Sequence, residues 1–254
     1  MDRPQRTAAA STTPPVTLFC IPHAGGSAAY YSDFASRFAE GVRLRPLELP
    51  GRGRRCREPL VSGIDALADD LMPGILPVAR TAPYALFGHS MGALLAFLCA
   101  VRLHALGAPV PAALFLSACP APTSQGAPFE DSLRRIGHSS SAVWQHARDL
   151  GGIPDEILGS PDFRKYLEPI LHADFTAMRS WRPRDFSALP LPITVLLGNQ
   201  DTVSEQSGRG WARLTTSRFA LHWFDGGHFY LRNQGAALAA IITRQLSSRA
   251  HSDC

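Results

Sequence analysis

The chain has 254 residues, of which 45% are apolar and 18% charged. That balance supplies enough apolar surface for a packed core and excludes both wholesale disorder and a small scaffold stapled by disulfides or metal. The net charge is only +4, carried almost entirely by arginine since Lys165 is the sole lysine. Such a mild excess is not a nucleic-acid signature, although it leaves room for an acidic partner.

The first 15 residues read as a polar tail without the hydrophobic block of a secretion signal. No apolar run approaches the roughly 18–20 residues that cross a bilayer; the run at 93–101 is far too short. Five scattered cysteines form no C-x-x-C pair, so a reducing cytoplasm is the expected setting. Cys20 and Cys99 lie in apolar runs and are expected to be buried.

In chain order, residues 16–21 read as a buried strand, 29–39 as a helix, and 42–49 as a second strand ended by Pro50-Gly51. Ser62, with Asp65 three positions on, is expected to cap a helix over 64–72. Residues 84–87 form a third strand, followed at once by Gly88-His89-Ser90-Met91-Gly92 and an apolar helix over 93–106. Strands follow at 112–117, 193–197 and 218–224, and a helix over 229–246 closes the chain. This alternation predicts an α/β domain spanning 16–248, with a mostly parallel sheet and helices on both faces. Right-handed crossovers then gather every strand-to-helix loop at the carboxyl edge of the sheet. Residues 120–189 break the pattern with amphipathic pieces at 129–136, 142–150 and 163–181, expected to form a helical lid over that edge.

The G-x-S-x-G stretch acquires meaning from a strand before it and a helix after it. A serine on such a turn is strained and exposed, and the helix dipole lies where an oxyanion would form. Ser90 is therefore the expected nucleophile. Its partners should follow later strands in the order acid, then His. Asp201 follows the fifth strand and His228 the sixth. Asp225 is too close in sequence to His228 for the usual arrangement, and Glu205 is the remaining rival. His89 should point away from Ser90. His222 alternates within a strand, and His104, His138, His146 and His172 fall on helical patterns. Met91 and Ala24 are the expected backbone N–H donors of an oxyanion hole, Ala24 because the glycines of Pro22-His23-Ala24-Gly25-Gly26 let the backbone curl toward the site.

At these residues the chain resembles a family. The segments Pro22-His23-Ala24-Gly25-Gly26, Leu49-Pro50-Gly51-Arg52-Gly53, Phe87-Gly88-His89-Ser90-Met91-Gly92, Leu150-Gly151-Gly152-Ile153-Pro154, Leu171-His172-Ala173-Asp174-Phe175 and Gly226-Gly227-His228-Phe229 are similar to those of the type II thioesterases. These are discrete α/β-hydrolases that accompany polyketide and nonribosomal peptide synthases, and the resemblance runs over residues 18–231. It implies an α/β-hydrolase fold, no cofactor or metal, and hydrolysis of acyl thioesters on the phosphopantetheine arm of an acyl or peptidyl carrier protein. It does not by itself separate hydrolysis from acyl transfer, from esterase activity on small oxygen esters, or from a non-catalytic carrier-binding module. A monomer without nucleic-acid or membrane partners is expected. Arg54, Arg55 and Arg57, on the loop after the second strand, are expected to dock the acidic carrier; Arg52, within the family-like segment, is set apart as a brace of the fold.

Overall fold

The computed structural model describes residues 14–38, 41–122, 139–153 and 158–249. The expected helix at 129–136, His138, Cys254 and most of the N-terminal tail lie outside them. Six strands, β1 (Val16–Ile21), β2 (Val42–Pro46), β3 (Tyr84–His89), β4 (Leu114–Ser117), β5 (Ile193–Gly198) and β6 (Phe219–Phe224), form one sheet in the order β2-β1-β3-β4-β5-β6. All five pairings are parallel. The chain enters the sheet at β1, one strand in from an edge, adds β2 at that edge and then crosses to β3 on the other side, so ligand-binding loops meet at the carboxyl ends of β1 and β3.

Period-two side chains divide the core between two faces. Phe19, Ile21, Leu86, Leu114, Leu116, Val195 and Leu197 meet α1 (Ile64–Ala79) and α2 (Met91–Ala105). Leu18, Cys20, Phe87, Phe115 and Leu196 meet Tyr31, Phe34 and the last helix, whose Leu238, Ile242 and Leu246 are buried there. That helix is α6 (Leu231–Arg249). Between β4 and β5 stand α3 (Ser140–Asp149) and α4 (Pro161–Ser180), and a short α5 (Glu205–Arg209) follows β5. Helix α4 starts on a Ser160 cap that accepts from the Phe163 N–H, with Pro161 in its first turn. None of the described helices is long and apolar enough to cross a membrane.

Four local expectations are corrected. Residues 29–39 do not form an α-helix: two 3₁₀ turns, Ala28–Tyr31 and Ala35–Arg37, take that place. Ala28, Tyr31 and Phe34 are the buried positions, and their three-residue spacing matches a 3₁₀ turn rather than 3.6 residues. The cap of α1 is Gly63, not Ser62, because the Asp65 carboxylate is occupied elsewhere, by Arg102, Arg184 and the Trp181 indole. That helix also runs through Pro73 and Pro77 to Ala79, burying Ile75 and Ala79 where a stop at 72 would leave them exposed. Finally, β2 ends at Pro46, although Leu47 still donates to the Cys20 carbonyl at 2.9 Å.

Candidate active site

The nucleophile position is built by a turn only small residues permit. Ser90 has φ +55° and ψ −121°, a left-handed strain for a side-chain-bearing residue. A Cβ on Gly88 would lie 2.0 Å from the Gly92 carbonyl oxygen, and one on Gly92 would lie 2.1 Å from that of Ile21. These two approaches let β3 turn straight into α2 and leave the Ser90 hydroxyl at the carboxyl edge.

The later strand ends bring the partners. His228 Nε2 lies 2.9 Å from Ser90 Oγ, and His228 Nδ1 lies 3.0 and 3.1 Å from the two Asp201 carboxylate oxygens. With the Nδ1 proton donated to Asp201, Nε2 accepts from the serine. The Asp201 side chain is fully buried and also accepts from the Thr202 N–H at 2.6 Å. Its loop and that of His228 are stitched together by Asn199, whose amide donates to Asp225 and accepts from the Gly226 N–H. Asp225 therefore serves the loop and not the imidazole, and Glu205 pairs with Arg209.

Met91 is the first residue of α2, so its N–H is outside the helical ladder. Residues 23–26 form a turn closed by Gly26 N–H to His23 C=O at 2.9 Å, with Gly25 at φ +79°. Ala24 lines the same cleft as Ser90, and among the described residues no acceptor is placed on its N–H.

Behind His228 stands an aromatic wall. The His89 ring lies 5.3 Å from that of His228 and 5.9 Å from that of His23. Its Nδ1 meets Ser117 Oγ, which also meets the Tyr230 hydroxyl. So His89 points away from Ser90, as expected. Burial, and then the charge of His228, push His23 down to about 3 and His89 well below its ordinary value. Both rings stay neutral and add no positive charge to the site. His104 and His172 are exposed, while His146 is half-buried against Phe175.

The cleft beside Ser90 has a volume of about 40 Å³ and is walled by Ala147, Leu150 and Ile153 near α3 and by Leu167, Leu171 and Phe175 of α4. Such a volume holds a few waters. Tyr166, on the same helix, reaches away and accepts from the Gly53 N–H.

One residue carrying the site was not singled out in the sequence. Asp174 is fully buried and bidentate with the buried Arg52, and it accepts from the Gly25 N–H at 2.7 Å. Its only local signal was its place in a family-like segment. The guanidinium of Arg55, one of the three arginines expected to dock a carrier, is held between Glu58 and Asp70. Arg54 and Arg57 are exposed.

A family model described as a thioesterase domain matches residues 16–250. Thioesterase TesA of Mycobacterium marinum is 35% identical over 228 residues, covering 89% of each chain. Among solved structures, ClbQ from the colibactin NRPS/PKS pathway superposes with a TM-score of 0.84 at 27% identity, covering 92% of this chain and 98% of its own. The type II thioesterase BorB from the borrelidin biosynthetic cluster gives 0.80 at 33% identity, covering 96% of each.

Proposed function

Because this chain belongs to the thioesterase family and is a thioester hydrolase, we propose that its substrates are acyl groups borne on the phosphopantetheine arm of a carrier protein, which it releases or edits in polyketide or nonribosomal peptide biosynthesis. The pathway is supported by its likeness to ClbQ and BorB. The observation that carries the mechanism is the 2.9 Å contact from His228 Nε2 to Ser90 Oγ, continued to Asp201.

In this reading Ser90 Oγ attacks the thioester carbonyl carbon and its proton passes to His228 Nε2. Asp201 holds the imidazole tautomer and stabilises the imidazolium. The N–H groups of Ala24 and Met91 receive the negative oxygen of the tetrahedral intermediate. The C–S bond breaks, the thiolate leaves with the proton from His228, and an ester remains on Ser90. Water then gives a proton to His228 and attacks that ester; the acid departs and Ser90 regains its hydrogen. None of these steps calls for a cofactor. Helices α3 and α4 serve as the lid, and the enzyme works in the cytoplasm beside its carrier. Arg54 and Arg57 meet the carrier's acidic surface, arginine being suited to carboxylate and phosphate alike.

A panel of acyl-loaded carrier proteins, scored by mass spectrometry for acid release, tests this reading. Wild type should release acyl groups, and Ser90→Ala should lose about 10³-fold or more in turnover. Retention of more than a tenth of the wild-type rate, or faster cleavage of matched oxygen esters than of thioesters, would overturn it.

A further inference from the structure

The turn that offers Ala24 to the site is gripped on both sides by a buried ion pair from elsewhere in the chain. Asp174 Oδ2 accepts the Gly25 N–H at 2.7 Å, and Arg52 Nη1 donates to the Gly26 carbonyl at 3.5 Å. Arg52 and Asp174 are joined by two hydrogen bonds of 2.5 and 2.8 Å, and their side chains are 1% and 0% exposed. Two unit charges in such a place are costly; a well-packed apolar pair of similar volume would often serve stability as well or better. Stability alone therefore does not account for them.

The turn geometry points to what they do. A positive φ at the third of four residues, here Gly25 at +79°, is the mark of a type II turn. Type II differs from type I in the orientation of its middle peptide, because ψ of the second residue and φ of the third change together. In this turn the middle peptide is Ala24–Gly25, and its N–H is the one Asp174 holds. Leu171 of α4 closes the same peptide from the other side: a Cβ on Gly25 would lie 2.5 Å from its Cδ2. Without this acceptor and the Arg52 contact to Gly26, nothing polar from outside fixes the turn that carries Ala24.

We propose that Arg52 and Asp174 are positioning residues that lock the 23–26 turn and so aim the Ala24 N–H at the oxyanion. The inference rests on the oxyanion-hole reading given above. Asp174 supplies the acceptor, and Arg52 holds that carboxylate correctly turned through two hydrogen bonds while taking the next carbonyl. Because α4 carries Asp174, the lid and the oxyanion loop are seated by the same contact.

The test separates positioning from simple bracing. The double variant Arg52→Met with Asp174→Leu removes the charges and the Gly25 acceptor while refilling the space. Its thermal midpoint should stay near that of wild type. On an acyl N-acetylcysteamine thioester, its kcat should fall about 10–100-fold, part of the loss expected when one oxyanion donor is removed. KM should change less than about threefold, and the acid limb of the pH profile should not move, since His228 is untouched. Affinity for an alkyl trifluoromethyl ketone, which forms a tetrahedral oxyanion on Ser90, should fall by the same factor as kcat/KM. A folded double variant with wild-type kcat, or one altered in KM alone, overturns the proposal. Should the double variant not fold, Asp174→Asn is measured, with its rate normalised to the folded fraction by circular dichroism. It keeps a carbonyl acceptor but loses its pairing with Arg52, so a several-fold lower kcat per folded molecule is expected; an unchanged value overturns the proposal. If wild type itself cleaves no thioester, the functional reading fails instead, so the two failures are distinguishable.

Discussion

Asp201 illustrates how burial turns a common residue into a specific one. Its carboxylate has no solvent exposure, and both oxygens face His228 Nδ1. Asp201→Asn should leave the fold intact but favour the wrong imidazole tautomer, with a fall in kcat of about 10²–10⁴-fold measured on a small thioester. A variant within threefold of wild type would remove Asp201 from the mechanism. His23 and His89 have a different consequence. In the unfolded chain each titrates near 6.5, whereas the folded state holds His23 at about 3 and His89 well below 6.5. Between these values the unfolded state binds more protons, so this stability is complete above pH 6.5 and is lost as pH falls. The expected slope is about 1.4 kcal/mol per pH unit for each ring. Urea unfolding at pH 7.5 and 5.5 should show the loss, and His23→Gln should make it shallower by about one proton; identical slopes would reject the linkage.

At the scale of elements, α4 has two working sides. Phe163, Tyr166, Leu167, Ile170 and Leu171 recur at helical spacing, and the sequence pattern alone admits any of them to a cleft. The structure assigns Leu167 and Leu171 to the cleft and adds Phe175. Ile170 is buried without lining it, and Tyr166 anchors the helix to Gly53. With about 40 Å³ beside Ser90, a long acyl chain is expected to need room now filled by these side chains. Leu171→Ala and Phe175→Ala should therefore raise the relative rate on long acyl chains by several-fold, while acetyl turnover changes little. Acyl-chain profiles that match wild type would show that α4 does not set chain length. The α4 pattern shows why a face was legible and its function was not. Periodicity says which residues share a side of the helix, but not which neighbour that side meets.

At the scale of the whole molecule, the arginine loop 51–57 divides its charges between two tasks. Arg52 and Arg55 are held in ion pairs, one buried and one between Glu58 and Asp70, while Arg54 and Arg57 are exposed. Arg54→Glu with Arg57→Glu should raise KM several-fold for acyl-carrier substrates, and the effect should shrink as salt rises. An N-acetylcysteamine thioester, which has neither phosphate nor protein, should be cleaved as by wild type. Equal losses on both substrates would point to damage at the site, and no loss on either would leave the two arginines without a role in docking.

The sequence by itself determined the six strands along the chain and the positions of Ser90, Asp201 and His228 after three of them. Each of these residues sits at the end of a local apolar run, and parallel crossovers carry all such ends to one edge whatever the details of packing. It did not reveal the 3₁₀ turns at 28–37, because apolar spacing there fitted a helix until Tyr31 and Phe34 found their places against the sheet. Only the tertiary structure decided which arginines are free, which histidines are kept neutral, and which face of α4 meets Ser90. It alone joined Arg52 to Asp174, residues 122 positions apart. Burial and charge pairing are properties of what lies across a contact, and no local pattern around Arg52 or Asp174 contains the other.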